Sequence, residues 1–323
     1  MSQPKKHHYL PQFYLEFFKC SPQTGKYPQI YVTTKKKNPK RFKAAIHDTG
    51  CISDYNTVDL QGEPPEKKKI EEALSKIEGK QRDLLVEIMG NREIKDCQVR
   101  LLAEFLATVH LRVPKFKRNV ETGLRASVEN VGEMLFRNGK LQPLPKVLAD
   151  LKPKKLSDLM TVEIDNWILL SYMYDVALNS HLADIIGKMQ FRFLCAPAGG
   201  QFITGDTPLV LFVPNYQMRQ PYGAGFADKE VEVTFPISSH LMLQASWSKE
   251  GVSCVLAHSQ LQEYNRRTIV MADEYIYSSS EEACKLDLVS HNAGRSARFK
   301  TDTIDAGKGM YLINRFIPVT SER

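Results

Sequence analysis

The hydrophobic period of this 323-residue chain changes at Gln190, and that change limits the fold more than any other feature. From Glu66 to Met189 apolar residues recur every three to four positions, as amphipathic helices require. Beyond Gln190, short runs rich in β-branched and aromatic residues are punctuated by Pro, Gly, Asn or Ser, as strands and turns require. Helices followed by strands, rather than alternating with them, predict an α+β fold and not a doubly wound α/β sheet.

Finer reading gives three sub-regions of one domain, 1–65, 66–189 and 190–323. The first holds a small β layer. Tyr27 to Thr34 is strand-like, the basic run after it is a loop, and Ala44 to His47 and Cys51 to Asp59 are extended, broken at Asp48-Thr49-Gly50. Gln61 to Pro65 is a linker. A first long helix starts at Glu66 and carries Ile70, Leu74, Ile77, Leu84 and Ile88. A second starts near Arg92 and meets Pro114, which ends or kinks it. A third covers Phe116 to Asn138. Leu141 to Pro153 is irregular, and Leu156 to Met189 is helical, with Ser157 or Thr161 as cap. The C-terminal half is mostly antiparallel β, with one helix from Ser259 to Ala272, a strand at Tyr275 to Ser278 and another at Met310 to Val319.

The N-terminus concentrates unusual chemistry. From Pro11, Leu10, Phe13, Tyr14, Phe17 and Phe18 fall on one face of a short helix running to Phe18. His7 and His8 would then stand at its mouth as surface residues, where a helix N-terminus favours anions and lowers a histidine's pKa.

The net charge of +7 is unevenly spread. Lys35, Lys36, Lys37, Lys40 and Arg41 form one basic run, Lys115, Lys117 and Arg118 a second, and Lys152, Lys154 and Lys155 a third. Such clusters attract polyanions without reading their sequence, so nucleic acid or another polyanion is the expected partner. A solvated, solubilising surface is the alternative. No apolar run approaches the ~20 residues of a membrane span, and no apolar leader opens the chain, so a cytoplasmic location is expected. The six cysteines are scattered without C-x-x-C or zinc spacing and read as reduced packing residues. No P-loop, Gly-x-Gly-x-x-Gly, Gly-x-Ser-x-Gly or His-Glu-x-x-His motif is present.

Polar residues on apolar stripes are the informative ones, because a buried charge needs a partner. Arg112 follows Phe105 by seven residues on the buried stripe of its helix. Glu78, one after Ile77, flanks the seam of the preceding helix, and Glu71 lies one heptad earlier. Antiparallel packing would bring Glu78 to Arg112, either as a buried pair or facing a cleft. Asp206 follows a strand and precedes Thr207-Pro208, where it serves either the turn or a site. Asp175 and His110 are weaker candidates, and His240 and His258 show no partner.

These residues also carry a resemblance. His7-His8-Tyr9-Leu10-Pro11-Gln12-Phe13-Tyr14-Leu15 resembles the opening signature of domain-of-unknown-function family 4238, with Leu10 where Val is usual. Leu74-Ser75-Lys76-Ile77-Glu78 is similar to its Leu-x-x-Ile-Glu element. Arg112-Val113-Pro114 matches an Arg-Thr-Pro element and Thr204-Gly205-Asp206-Thr207-Pro208 a Thr-Ser-Asp-x-Pro element. Gln262-Glu263-Tyr264-Asn265 matches a helix carrying Asn. The resemblance implies no established reaction.

Two functions are therefore expected. One is a nuclease-like enzyme acting on a phosphate ester. In it His7 or His8 is the general acid or base, Arg112 stabilises charge, Glu78 and Asp206 orient the histidine or hold a divalent cation, and Asn265 is a further candidate site residue. The other is a non-catalytic module whose basic surface, from Lys35 to Arg41, engages an anionic partner.

Overall fold

The computed structural model describes residues 6–22, 25–59, 69–141, 155–178, 181–214, 216, 224–248, 253–305 and 310–321. The expected linker at 61–65, the helix start at Glu66, and the irregular segment 142–153 with Lys152 lie outside these residues, as does Lys154.

Strand β1 (Lys6–His8), helix α1 (Gln12–Glu16) and strands β2 (Gln29–Thr34), β3 (Arg41–Ala45) and β4 (Cys51–Ser53) open the chain. Helices α2 (Lys69–Asn91), α3 (Asp96–Arg112), α4 (Pro114–Arg137), α5 (Asn166–Leu178) and α6 (His181–Ile186) follow. Then come β5 (Gln190–Cys195), β6 (Thr204–Gly205), β7 (Val210–Phe212), β8 (Glu232–Pro236), β9 (Leu241–Ser246) and β10 (Cys254–Val255). Helix α7 (His258–Met271), β11 (Tyr275–Ser278), α8 (Leu286–Asn292) and the hairpin β12 (Arg298–Asp305) and β13 (Met310–Ile317) complete it. The fold is α+β.

Two sheets dominate. One has the order β10-β5-β9-β8-β7, antiparallel except for the parallel β10–β5 pair. The other has the order β3-β2-β11-β6 and is wholly antiparallel. Of the N-terminal strands, β2 and β3 join this sheet, whereas β1 and β4 pair with each other in a two-stranded sheet of their own. β11, with Ile276 and Tyr277 buried, is a central strand that pairs Tyr277 with both Val32 and Thr204. Its β-branched and aromatic residues need cover on both sides, and only a strand from the distant N-terminus supplies one of them.

Several expectations need correction. The opening helix covers Gln12–Glu16 only. Pro11 precedes it at φ −58°, ψ 135°, because the chain arrives as β1, paired with β4 through His7↔Ile52 and His8↔Cys51. The two histidines thus sit in a strand, and His7 is fully buried rather than on the surface. The basic run is not all loop, since Arg41 and Lys43 belong to β3. The helix expected from Leu156 breaks into a 3-10 turn (Leu156–Asp158), α5 and α6. Asp158 accepts the N–H of Lys155 and closes that turn locally, so neither Ser157 nor Thr161 caps a long helix. Helix α7 starts one residue before Ser259, with Gln260 Oε1 accepting the Ala257 N–H at 2.9 Å. Helix α8 is an addition to the elements expected from the sequence.

One hydrophobic core draws on all three sub-regions. Tyr14 ties them together: its hydroxyl lies 2.6 Å from Thr204 Oγ1 and donates to Pro236 O at 2.8 Å. Its ring lies 5.0 Å from that of Phe235, which meets Phe105 of α3 edge-on at 5.5 Å. Gly50 closes the β1 entry. Its carbonyl accepts the N–H of both Tyr9 and Leu10, and its φ of +66° suits glycine. A β-carbon there would stand 3.1 Å from Leu10 Cβ and 3.2 Å from Leu15 Cδ1.

Gly50→Ala should therefore cost about 1–3 kcal/mol, from the left-handed backbone and the crowding together. Gly139→Ala, also at positive φ but with no atom of the described residues within 4 Å of the new β-carbon, should cost less. Urea unfolding of both variants checks the order.

Candidate functional site: two buried cation clusters

The candidate residues are placed by the junction of α3 and α4. Val113 is extended (φ −76°, ψ 148°), as a residue before proline must be, and Pro114 starts the next helix. This bend sends Arg112 and Lys115 into separate clusters.

Arg112 is buried against β1. One guanidinium nitrogen lies 3.1 Å from Glu78 Oε1 and the other donates to the His8 carbonyl, while Nε has no partner among the described residues. The helix seam thus delivers Glu78 to Arg112 as the spacing predicts. Glu78 remains partly exposed, with its side chain at 27% against 3% for Arg112. Around the pair, Tyr55 donates its hydroxyl to the Arg112 carbonyl at 3.0 Å. Asn56 donates from its side chain to Glu71 Oε1 at 2.6 Å and accepts from the Tyr174 hydroxyl at 3.2 Å. Lys117 lies 4.4 Å from the centre of the Tyr55 ring.

The two histidines project to opposite sides of β1, as adjacent strand residues do. His7 Nδ1 accepts the Asn56 N–H at 2.8 Å, which places the proton of the neutral ring on Nε2, buried and without a partner among the described residues. His8 Nε2 donates to the His47 carbonyl at 3.2 Å, leaving Nδ1 as the acceptor. Burial lowers the pKa of His8, opposed by the His47 carbonyl and by Glu71, so the ring is neutral at pH 7. The helix N-terminus expected to do this is not involved.

The second cluster surrounds the C-terminus of α7. Lys115 donates to Met271 O at 2.7 Å and Ser296 Oγ at 3.1 Å. Lys35 donates to Val270 O at 3.0 Å and Ala272 O at 2.7 Å. Two ammonium groups thus cap the unpaired carbonyls at the negative end of a helix. Asp206 faces the turn that follows and accepts the N–H groups of Asp273 (2.7 Å), Glu274 (2.7 Å) and Tyr275 (2.9 Å). Burial pushes Lys35 down to about 7 and Lys115 down to about 8, and Asp206 pulls both the other way. Burial raises Asp206 itself, against the N–H groups of Glu274 and Tyr275 and the two lysines.

The six expected catalytic residues therefore divide among three places. His7, His8, Glu78 and Arg112 gather around β1. Asp206 belongs to the lysine cluster. Asn265 lies on α7, where it accepts the Ile203 N–H at 3.2 Å and donates to Gln201 O at 3.0 Å. Glu78 and Asp206 do not share a cation site, and among the described residues no three or more His, Cys, Asp or Glu side chains are placed to hold a metal ion. The basic run divides as well. Lys35 is buried, and Arg41 donates to the Cys284 carbonyl and to Thr33 Oγ1. Lys36, Lys37 and Lys40 are exposed. Sequence reading misses Lys35 and Lys115 as buried groups, and Tyr55 and Asn56 altogether. Their only signal is position, Lys35 directly after a strand and Lys115 directly after a helix-breaking proline.

A lysine at about 7 when folded and near 10.5 when unfolded is a liability only while protonated. Between those values the unfolded chain binds more protons, so this contribution makes stability rise with pH. Wild type should gain stability over Lys35→Met as pH is raised from about 7 to about 9.5. Urea titrations of both proteins read the difference, and a flat difference would contradict the buried ammonium. Asp206→Asn should cost about 1–3 kcal/mol for each N–H left facing the amide, measured in the same way.

Both clusters fall within the part of the chain that compares with known proteins, apart from Ser296. A family described as a protein of unknown function, domain-of-unknown-function family 4238, matches residues 6–282. That range runs from β1 through β11 and leaves out α8 and the β12–β13 hairpin. Neither the curated proteins nor the solved structures provide a match to the chain. With most of its length matched, from the paired histidines to the turn that Asp206 holds, the chain belongs to domain-of-unknown-function family 4238.

Proposed function

We propose that the chain is a binding module that takes a single-stranded nucleic acid on the outer edge of the β3-β2-β11-β6 sheet. The observation that carries this reading is the β2–β3 hairpin. Lys36, Lys37 and Lys40 stand on its turn and Lys43 on β3; Phe42, 48% exposed, projects to the side of β3 opposite Lys43, and Tyr27, 51% exposed, precedes β2. Lys43 lies 5.0 Å from the centre of the half-buried Tyr31 ring, and Lys26 lies 5.5 Å from that of Tyr27. Cations that follow a phosphate backbone, interleaved with aromatic faces for bases, make a surface suited to single strands. Hydrolysis is the weaker reading. Asp206 and Asn265 spend their polar atoms on backbone, and Arg112 spends its two terminal nitrogens on Glu78 and His8.

The test is fluorescence anisotropy with a labelled single-stranded oligonucleotide across a salt series. Wild type should bind with a steep salt dependence. The triple variant Lys36→Ala, Lys37→Ala, Lys40→Ala should bind more weakly, with a log–log salt slope reduced by about 0.7 for each phosphate that is no longer neutralised. Equal binding by the two proteins would remove the hairpin from the function.

One observation supports a hydrolytic reading. His8 is half-buried and neutral, its Nε2–H is held by a carbonyl, and its Nδ1 is left as a base among Glu71, Glu78 and Arg112. Such a ring can accept a proton from water at neutral pH. His8→Gln should abolish any phosphodiesterase activity of the wild type in a metal-supplemented nuclease panel while leaving oligonucleotide affinity unchanged. Activity that survives the substitution would sink this reading.

A further inference from the structure

A hollow of ≈ 290 Å³ opens beside α4 and takes no part in either cluster's hydrogen bonding beyond sharing Lys115 and Met271. Its walls carry four phenylalanines, Phe116, Phe226, Phe299 and Phe316, together with His110 and Lys115. The size is near the lower end of the ~300–1,000 Å³ of small-molecule sites, and an apolar lining with a few polar groups is their usual composition. The His110 ring lies 5.4 Å from Phe116 and meets Phe226 edge-on at 5.1 Å, so it belongs to the aromatic wall. Burial holds His110 down to about 4, so the ring is uncharged at neutral pH, and its Nδ1 is buried without a partner among the described residues.

Charge narrows the ligand further. No Asp or Glu is among the described residues lining this hollow. Lys115 commits two of its three N–H donors, to Met271 O and Ser296 Oγ. A second hollow of ≈ 730 Å³ shares Phe116, Asn119 and Phe299 with the first. It adds Arg298 and Lys300 and, among the described residues, again no acidic side chain. An apolar cavity with a lysine in its wall and Arg298 in the adjoining hollow, where Lys300 is paired with Asp302 at 3.0 Å, fits an apolar anion.

We propose that this hollow is a binding site for a small aromatic monocarboxylate, its ring seated among the phenylalanines and its carboxylate turned to Lys115. Offset and edge-on ring contacts hold the body, and a charge-assisted hydrogen bond from the ammonium fixes the head. The site is separate from the β2–β3 hairpin and does not depend on the chain binding nucleic acid. Two of its four phenylalanines, Phe299 and Phe316, lie beyond the family-matched residues, so this pocket is completed by a part of the chain the family match does not include.

The test uses the full chain and 2-naphthoate, with 2-naphthamide as the uncharged isostere, read by isothermal titration calorimetry and by the shift in Tm. Naphthoate should bind with 1:1 stoichiometry and raise Tm, and the amide should bind at least about tenfold more weakly for want of the charged contact. Gly225 lines the hollow, and a β-carbon there meets no atom of the described residues within 4 Å. Gly225→Phe should therefore fill the space and abolish naphthoate binding while leaving the circular dichroism of the free protein unchanged. If that variant does not fold, Phe299→Ala takes its place; its side chain is already 43% exposed, and it should weaken naphthoate several-fold. Equal affinity for acid and amide, unaltered binding in the folded variant, or no binding at millimolar naphthoate would each overturn the proposal.

Discussion

The structure depends on partnering three of its buried cations with backbone carbonyls. Arg112, Lys115 and Lys35 are each less than a tenth exposed, and all three spend hydrogen bonds on backbone carbonyls. Arg112 holds the β1 carbonyl of His8, and the lysines hold three carbonyls at the end of α7. A helix end carries unpaired carbonyls and a partial negative charge, so it is a natural partner for an ammonium group taken out of water. Asp206 completes the arrangement by collecting the next three N–H groups. The α7–β11 turn, which sets where β11 enters its sheet, is thus fixed by charge on both of its sides. Isolated burial of any one of these ions would be very costly.

Much of this architecture is legible in the sequence. The change of period at Gln190 reveals the class, because helical and strand repeats differ in a way that needs no tertiary knowledge. The Glu78–Arg112 contact is legible for the same reason, since a charge on a buried stripe asks for a partner on the facing helix. The aromatic cluster after Pro11 is also readable as core, although the helix carrying it is shorter than the spacing suggests. What escapes is everything decided by long-range strand pairing. His7 and His8 look like helix-mouth residues because their partner, Cys51–Ser53, lies more than forty positions away. Lys35 looks like one solvated lysine among several, and only the position of α7 buries it.

The candidate site follows the same division. Local motifs single out Arg112, Asp206 and Asn265, which the fold buries and partners, but not what they do. Asp206 and Asn265 are polar residues at strand and helix positions whose partners are backbone atoms, and sequence carries no mark that separates such a strut from a catalytic group. The exposed lysines of the β2–β3 hairpin carry a second physical role besides any ligand. They lie on or beside an edge strand, where charge discourages pairing with another chain.

The pairing of β2 with β11 also carries a kinetic consequence. About 245 residues separate Val32 from its partner Tyr277. At ribosomal speeds of about 5–20 residues per second, that interval takes roughly 10–50 s to synthesise. Throughout it the N-terminal hairpin has no strand to cover Ile30 and Val32, so a nascent chain carries an open apolar edge until late in translation. The lysine-rich turn at the end of β2 is then the part of the chain positioned to keep this edge apart from its neighbours while it waits.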